Sequence, residues 1–342
     1  MRKIEELDKN FAAKSADENG FVWYDCTEAP FQVYGLMHTG DCFVRMPQEV
    51  ANNVSDGVAS LNTSTAGGRV RFATDSWAIM IRAAMHNLIK IPLFALTGSA
   101  GFDLYADNIH AGTFAPPMDI EDCYTATVYT DGRMHDMVIH FPLYSGVKKL
   151  EIGIREDAAL MPGAKYQTDL PVVYYGSSIT QGGCASRPGN SYPAVVSRMT
   201  GCDFVNLGFS GNARGEATMA EYIARLPMSA FVFDYDHNAP SPEHLQSTHA
   251  KMFRTIREKN PALPVIMMTR PDSFLNSTGE QNRKIIMKTY TDAVEAGDRN
   301  VFFIDGRSFV RDGDGTVDNC HPNDLGFRYM AETVGELLKR IL

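Results

Sequence analysis

Val172-Val173-Tyr174-Tyr175-Gly176-Ser177-Ser178-Ile179-Thr180 is an apolar run that stops abruptly at a glycine and two serines. Runs without polar alternation suit strands buried on both faces, as in a parallel sheet. Four more follow, at 204–207, 230–233, 265–268 and 301–304. Helical spacing fills the gaps between them. Tyr192, Val195, Val196 and Met199 fall at i, i+3, i+4 and i+7, and Leu245, Met252, Phe253 and Ile256 share one face. Phe327, Met330, Val334, Leu337, Leu338 and Ile341 mark a last helix, with Asn323 or Asp324 placed to cap its start. Alternating strands and helices predict a three-layer α/β/α domain on a parallel sheet over 169–342.

Upstream the period changes. Val70 and Phe72 flank Arg71, Ile139, Phe141 and Leu143 alternate with other residues, and Leu150, Ile152 and Ile154 alternate with Glu151 and Gly153. Period two is the mark of half-buried strands. Asp131-Gly132 suits a tight hairpin turn between the strands on either side of it. No long amphipathic helix is evident here, so 1–168 is expected to be an antiparallel β-sandwich of jelly-roll type. Residues 155–170, with Pro162-Gly163 and no sustained period, read as the linker.

Hydrophobic residues make up 44% and charged residues 21% of the 342, the profile of a folded, soluble protein. The net charge of −9 repels nucleic acid and anionic membrane surfaces, which leaves neutral small molecules as the expected partners. No stretch approaches the ~20 apolar residues of a membrane span. The mixed-charge start, residues 1–20, lacks the apolar core of a signal peptide, so a cytoplasmic address is expected. The six cysteines show no CxxC pair and read as free thiols. The histidines are scattered without ligand spacing. Asp312-Gly313-Asp314-Gly315 would need a bidentate Glu where Asn323 stands, so neither metal nor cofactor is expected.

Ligands of open parallel sheets gather at the carboxyl ends of the strands, where Ser178 stands. Alone, a Gly-x-Ser is an ordinary turn or helix-cap signal. At the other end of the domain lies Asp318-Asn319-Cys320-His321. A serine hydroxyl needs a base to become a nucleophile, and an imidazole needs an acceptor to hold its tautomer. One tight turn suffices for Asp318 to reach His321.

These segments, in this order, resemble the SGNH, or GDSL-type, hydrolase superfamily. The match runs from about residue 170 to the end. Gly176–Thr180 resembles the Gly-Asp-Ser block and implies Ser178 as nucleophile. Asn206-Leu207-Gly208-Phe209-Ser210-Gly211 is similar to the second block and implies the Gly211 amide as an oxyanion donor. Asp236-His237-Asn238 stands where the family has Gly-x-Asn-Asp, implying Asn238 as a side-chain donor. Asp318 and His321 match the Asp-x-x-His block. The chain departs from the pattern at Ser177, where the family has aspartate, and in the third block. The Ser178 amide completes the implied oxyanion hole. Gly101-Phe102-Asp103-Leu104-Tyr105 resembles the Gly-x-Asp-Leu-Tyr motif of a sandwich found ahead of some such hydrolases, commonly esterases of acylated carbohydrates.

The resemblance therefore implies a metal-free serine esterase for small acyl groups, acetyl foremost, on a sugar or oligosaccharide. Arg187 and Asn190, in the loop after the nucleophile, are candidate substrate contacts, as are His237, Asp103 and Tyr105. Two other readings remain open: a lipase, thioesterase or aryl esterase with the same machinery, and a carbohydrate-binding protein that has lost activity. Cys184 and Cys320 read as packing thiols.

Overall fold

The computed structural model describes residues 15–271, 274 and 276–342, so most of the N-terminal segment read for a leader lies outside the described residues. Two antiparallel sheets come first. Strands β1 (Phe21–Asp25), β6 (Ala78–Asn87), β9 (Cys123–Tyr129) and β11 (Gly146–Arg155) form one, in the order β1-β11-β6-β9. The other contains β2 (Gln32–Tyr34), β5 (Arg69–Thr74), β7 (Phe102–Ala106), β8 (Ile109–Phe114), β10 (His135–His140) and β12 (Leu160–Pro162). Its order is β12-β5-β10-β7-β8, with β2 also paired to β5. A small hairpin, β3 (Met37–His38) and β4 (Phe43–Val44), stands beside them. Alternate side chains such as Val70, Phe72, Ile79, Ile81, Ile139, Leu150 and Ile152 meet in one core between the sheets.

The five runs become β13 (Val172–Gly176), β14 (Phe204–Gly208), β15 (Ala230–Asp234), β16 (Val265–Met268) and β17 (Val301–Ile304), all parallel. The order is β14-β13-β15-β16-β17. Burial on both faces explains the missing alternation. Val173, Tyr175, Phe231 and Phe233 enter one core, while Val172, Tyr174, Ala230 and Val232 enter another. The second core is closed by α5 (Tyr192–Thr200) and α9 (Asp324–Ile341). The first is closed by α6 (Ala217–Ala224), α7 (Pro242–Lys259) and α8 (Ser277–Glu295). Asn323 caps α9 by accepting the amides of Leu325 and Gly326.

Two readings of the upstream half are corrected. The Asp131-Gly132 turn exists, with Gly132 at φ +71°, but β9 and β10 belong to different sheets, so it crosses the sandwich instead of closing a hairpin. Thr130 holds the crossing down, donating from its amide to the Trp77 carbonyl and from its hydroxyl to that of Ser76. Alternation reports which face is buried, not which strand is the neighbour. The 155–170 segment is no plain linker: it supplies β12, an edge strand on β5. Two short helices, α1 (Gln48–Val54) and α2 (Asp56–Leu61), leave the sandwich. Their Ala51 and Val58 enter the core of the parallel sheet. Two further short helices are α3 (Leu96–Ser99) and α4 (Ser178–Gln181). Among the described residues no helix is long and apolar enough to cross a membrane, and no disulfide joins the six cysteines.

Candidate active site

Strand order reverses direction at β13, with β14 on one side and β15 on the other, so a crevice opens at its carboxyl end. Ser178 stands there as the first residue of α4. Ser177 caps that helix, its Oγ accepting the Ile179 amide at 3.2 Å. Gly176 is required by space: a Cβ would overlap the Asp234 carboxyl group and the Thr180 hydroxyl. Asp234 is buried between the hydroxyls of Thr180 and Tyr192, and burial pushes its carboxyl well above the usual range.

His321 Nε2 lies 2.9 Å from Ser178 Oγ, and its Nδ1 lies 2.8 Å from Asp318 Oδ2. Asp318 Oδ1 accepts the backbone amides of Cys320 (3.1 Å) and His321 (2.7 Å), which fixes the turn. Burial opposes the Asp318 charge, yet the amide and imidazole of His321 overcome it and hold the carboxyl below the usual range. Phe94 and Tyr144, both from the upstream half, border this group. The Phe94 ring is 6.3 Å from that of His321 and 4.4 Å from that of Tyr144, whose hydroxyl reaches toward the Ser178 carbonyl at 3.4 Å.

The second and third blocks meet the first through the backbone of Phe209. Its amide donates to the Gly176 carbonyl at 2.8 Å, and its carbonyl accepts from Asn238 Nδ2 at 2.9 Å. One N–H of that amide group is thus committed to the Phe209 carbonyl. Gly211 adopts φ +70°, a left-handed conformation suited to glycine, with open space where a Cβ would stand. Gln181 Oε1 and Asn206 brace the loop, accepting the Ser210 amide and donating to the Thr180 carbonyl. Arg45, also from upstream, is buried against the Phe209 ring and donates to the carbonyls of Gly208 and Leu61. Sequence reading missed Arg45, Phe94 and Tyr144, because nothing local marks a residue whose partner lies on the other half of the chain.

The candidate substrate contacts divide. His237 Nδ1 accepts from Arg270 Nη1 at 3.0 Å, which places its remaining proton on Nε2, 2.8 Å from Cys320 Sγ beside His321. Asn190 braces the loop, its Nδ2 donating to Ser186 Oγ at 3.3 Å, while Ser186 is held by Asp324 at the start of α9. Asp103, Tyr105 and Arg187 come together where the sandwich meets the loop after the nucleophile. Asp103 is 0% and Tyr105 3% exposed. Asp103 Oδ2 accepts the Gly189 amide at 2.8 Å, and Oδ1 accepts from His140 Nδ1 at 2.9 Å. Arg187 points at the same pair, 3.3 Å from the Tyr105 hydroxyl. The motif thus fastens the sandwich to the loop that follows the nucleophile. A Cβ on Gly189 would come within 2.5 Å of the Tyr105 ring.

The Cys184 thiol is pushed up to about 12, mainly by burial, which disfavours its thiolate. Donor atoms of Asp318, Cys320 and His321 lie within 4.8 Å of one another, a metal-capable grouping by residue type. Within that grouping Asp318 is bonded to His321, and His321 in turn to Ser178 Oγ.

Comparison with known proteins agrees with this architecture. The model of the GDSL-like lipase/acylhydrolase family matches residues 169–339, and a GxDLY model, the N-terminus of SGNH-hydrolase-type esterases, matches 21–160. No curated protein matches. A putative GDSL-like lipase from Bacteroides ovatus is 29% identical over 94% of this chain and 98% of its own, with a TM-score of 0.84. A salicylyl-acyltransferase, SsfX3, from a tetracycline biosynthetic pathway is 19% identical over 95% of this chain and 99% of its own, with a TM-score of 0.78. An acetyl xylan esterase from the rumen bacterium Butyrivibrio proteoclasticus is 11% identical over 94% and 98%, with a TM-score of 0.61. The last two show a shared fold. With the family model covering the parallel-sheet half and the GxDLY model the sandwich, the chain belongs to the GDSL-like lipase/acylhydrolase family and is a carboxylic ester hydrolase.

Proposed function

We propose that the protein is a serine esterase removing small acyl groups, acetyl foremost, from a carbohydrate, with Ser178, His321 and Asp318 as its triad. The carrying observation is the continuous hydrogen-bonded line from Asp318 Oδ2 through His321 to Ser178 Oγ, at 2.8 and 2.9 Å. Ser178 Oγ attacks the ester carbonyl as its proton passes to His321 Nε2, and Asp318 stabilises the imidazolium. The carbonyl oxygen gains negative charge and is met by the amides of Ser178 and Gly211 and the second N–H of Asn238 Nδ2. Neither backbone amide donates to a described residue. His321 then gives its proton to the leaving sugar oxygen, and water releases the acyl group by the same steps in reverse roles.

The carbohydrate class rests on the GxDLY resemblance and on the shared fold of an acetyl xylan esterase. Acetate release from acetylated mono- and oligosaccharides, beside nitrophenyl esters of rising chain length, tests it. Acetylated sugars are expected as substrates, with acetyl preferred over octanoyl and all turnover lost in Ser178→Ala. Preference for long acyl chains with no release from acetyl sugars would move the assignment to a lipase-type hydrolase. Unaltered turnover in Ser178→Ala would remove the nucleophile assignment.

A further inference from the structure

A second cavity, of about 250 Å³, lies at the seam of the two halves and away from Ser178. Its walls come from β5, β10 and the β7–β8 turn of the sandwich, from residues 164–167, and from the final turn of α5. That turn is the end of α5 remote from the loop that follows the nucleophile.

The charges lining this cavity are unevenly committed. Its two carboxylates are fully engaged. Asp136 takes Arg71 on one oxygen and the Ala164 amide on the other, and Asp107 takes His135 and the Asp136 amide. Its cations are not. Arg198 Nη1 and Arg71 Nε are buried and have no hydrogen-bond partner among the described residues. The Arg198 guanidinium stacks on the Tyr105 ring at 4.1 Å and makes no ion pair with a described residue. Asp103, the acid nearest to it by chain contact, spends its oxygens on His140 and Gly189. Exposed Lys165 stands at the mouth, also without a described ion pair. The cavity thus brings together two cationic side chains, Arg198 and Lys165, that make no ion pair with a described residue, while both of its acids are committed. With the local acids used up, the counter-charge that suits them is an anion, and a planar guanidinium favours an oxyanion.

We infer that this seam cavity is a binding site for a small oxyanion, a carboxylate or phosphate group, held by Arg198 with Lys165 at its entrance. Because its walls belong to both halves, an occupant joins them, and its binding is read as stability of the whole chain.

Calorimetric melting of the full chain tests this with inorganic phosphate and, separately, glucuronate, each against potassium chloride of equal ionic strength. At ten times the dissociation constant, a rise of roughly 2 °C beyond the chloride control is expected. Arg198→Gln should weaken binding at least about tenfold. Lys165→Glu, at an exposed position that leaves the fold intact, should weaken it several-fold. A response to glucuronate alone would identify a sugar acid as the occupant, and a response to phosphate alone a phosphorylated molecule or free phosphate. No rise beyond chloride with either anion, or a rise that persists unchanged in Lys165→Glu and in any folded Arg198→Gln, overturns the proposal and leaves water on those donors. Ser178→Ala must retain the effect, which separates this site from the ester-cleaving one.

Discussion

Asp318→Asn probes the proposed triad at the atom that sets its tautomer. Two backbone amides converge on Asp318 Oδ1, at 3.1 and 2.7 Å, while Oδ2 faces His321 Nδ1 at 2.8 Å. An asparagine must therefore seat its carbonyl oxygen under the two amides and turn its NH2 toward Nδ1. The imidazole then accepts at Nδ1, and its proton moves to Nε2, 2.9 Å from Ser178 Oγ. In that state the ring donates to the serine and cannot take its proton. The corresponding change in a serine protease lowers kcat by about 10⁴ with the geometry intact. The turn here keeps both amide bonds in the variant, so a fall of about 10³–10⁴ is expected, or ~4–5.5 kcal/mol at the barrier. KM should hold, because nothing that touches the substrate moves. Asp318→Ala differs: it orphans both amides and should lose melting temperature as well as rate. Initial rates on nitrophenyl acetate from pH 5 to 9, with thermal melts of each variant, make the measurement. The Asp318 carboxyl is held below its usual range, so it keeps its charge in more acidic solution than a free aspartate would. A folded Asp318→Asn enzyme within tenfold of wild-type kcat would refute the reasoning.

Asn238→Ala should lower kcat by about 10²–10³ and leave KM nearly unchanged, since its donor acts on charge present only in the transition state; steady-state kinetics with unchanged kcat would assign the oxyanion to backbone alone. Gly189→Ala forces a methyl within 2.5 Å of the Tyr105 ring and 2.8 Å of Asp103 Oδ2. A loss of about 1–3 kcal/mol in urea unfolding is expected, with Tyr105→Leu restoring part of it. Burial lifts the Asp236 carboxyl to about 6, so its contribution to stability is present below about pH 4 and lost as pH rises through 6. Asp236→Asn does not titrate, and its advantage over wild type should grow by up to about 3 kcal/mol between pH 4 and 8. An advantage constant across that range would exclude the shift.

The five parallel strands were readable because a strand buried on both faces needs no polar residue, and helical spacing separates these runs from one another. The proposed triad was readable for a related reason. Asp318 and His321 lie within one turn, and Ser178 ends a strand whose position was already set. What escaped were pairings across long stretches of chain. Asp103 and Gly189 are 86 residues apart, and Arg45 and Gly208 are 163. Asp103 stands in a motif, but its partner Gly189 and the Arg45–Gly208 pair look unremarkable in their own segments, since a buried arginine and a solvated one are written with the same letter. The placement of β9 and β10 in opposite sheets escaped likewise, because both choices bury the same alternate residues.

The bond from Gly189 to Asp103 sets the unit in which this protein can be recombined. A crossover near residue 168 looks natural from the outside, since it separates the antiparallel sheets from the parallel one. Such a splice would seat β7 of one parent against residues 182–191 of another, and a Cβ at position 189 or a bulkier ring at 105 would prevent closure. In a library of chimeras, the survivors should therefore inherit these two segments from a single parent wherever their remaining breakpoints fall. The heritable module is a contact, not a stretch of sequence.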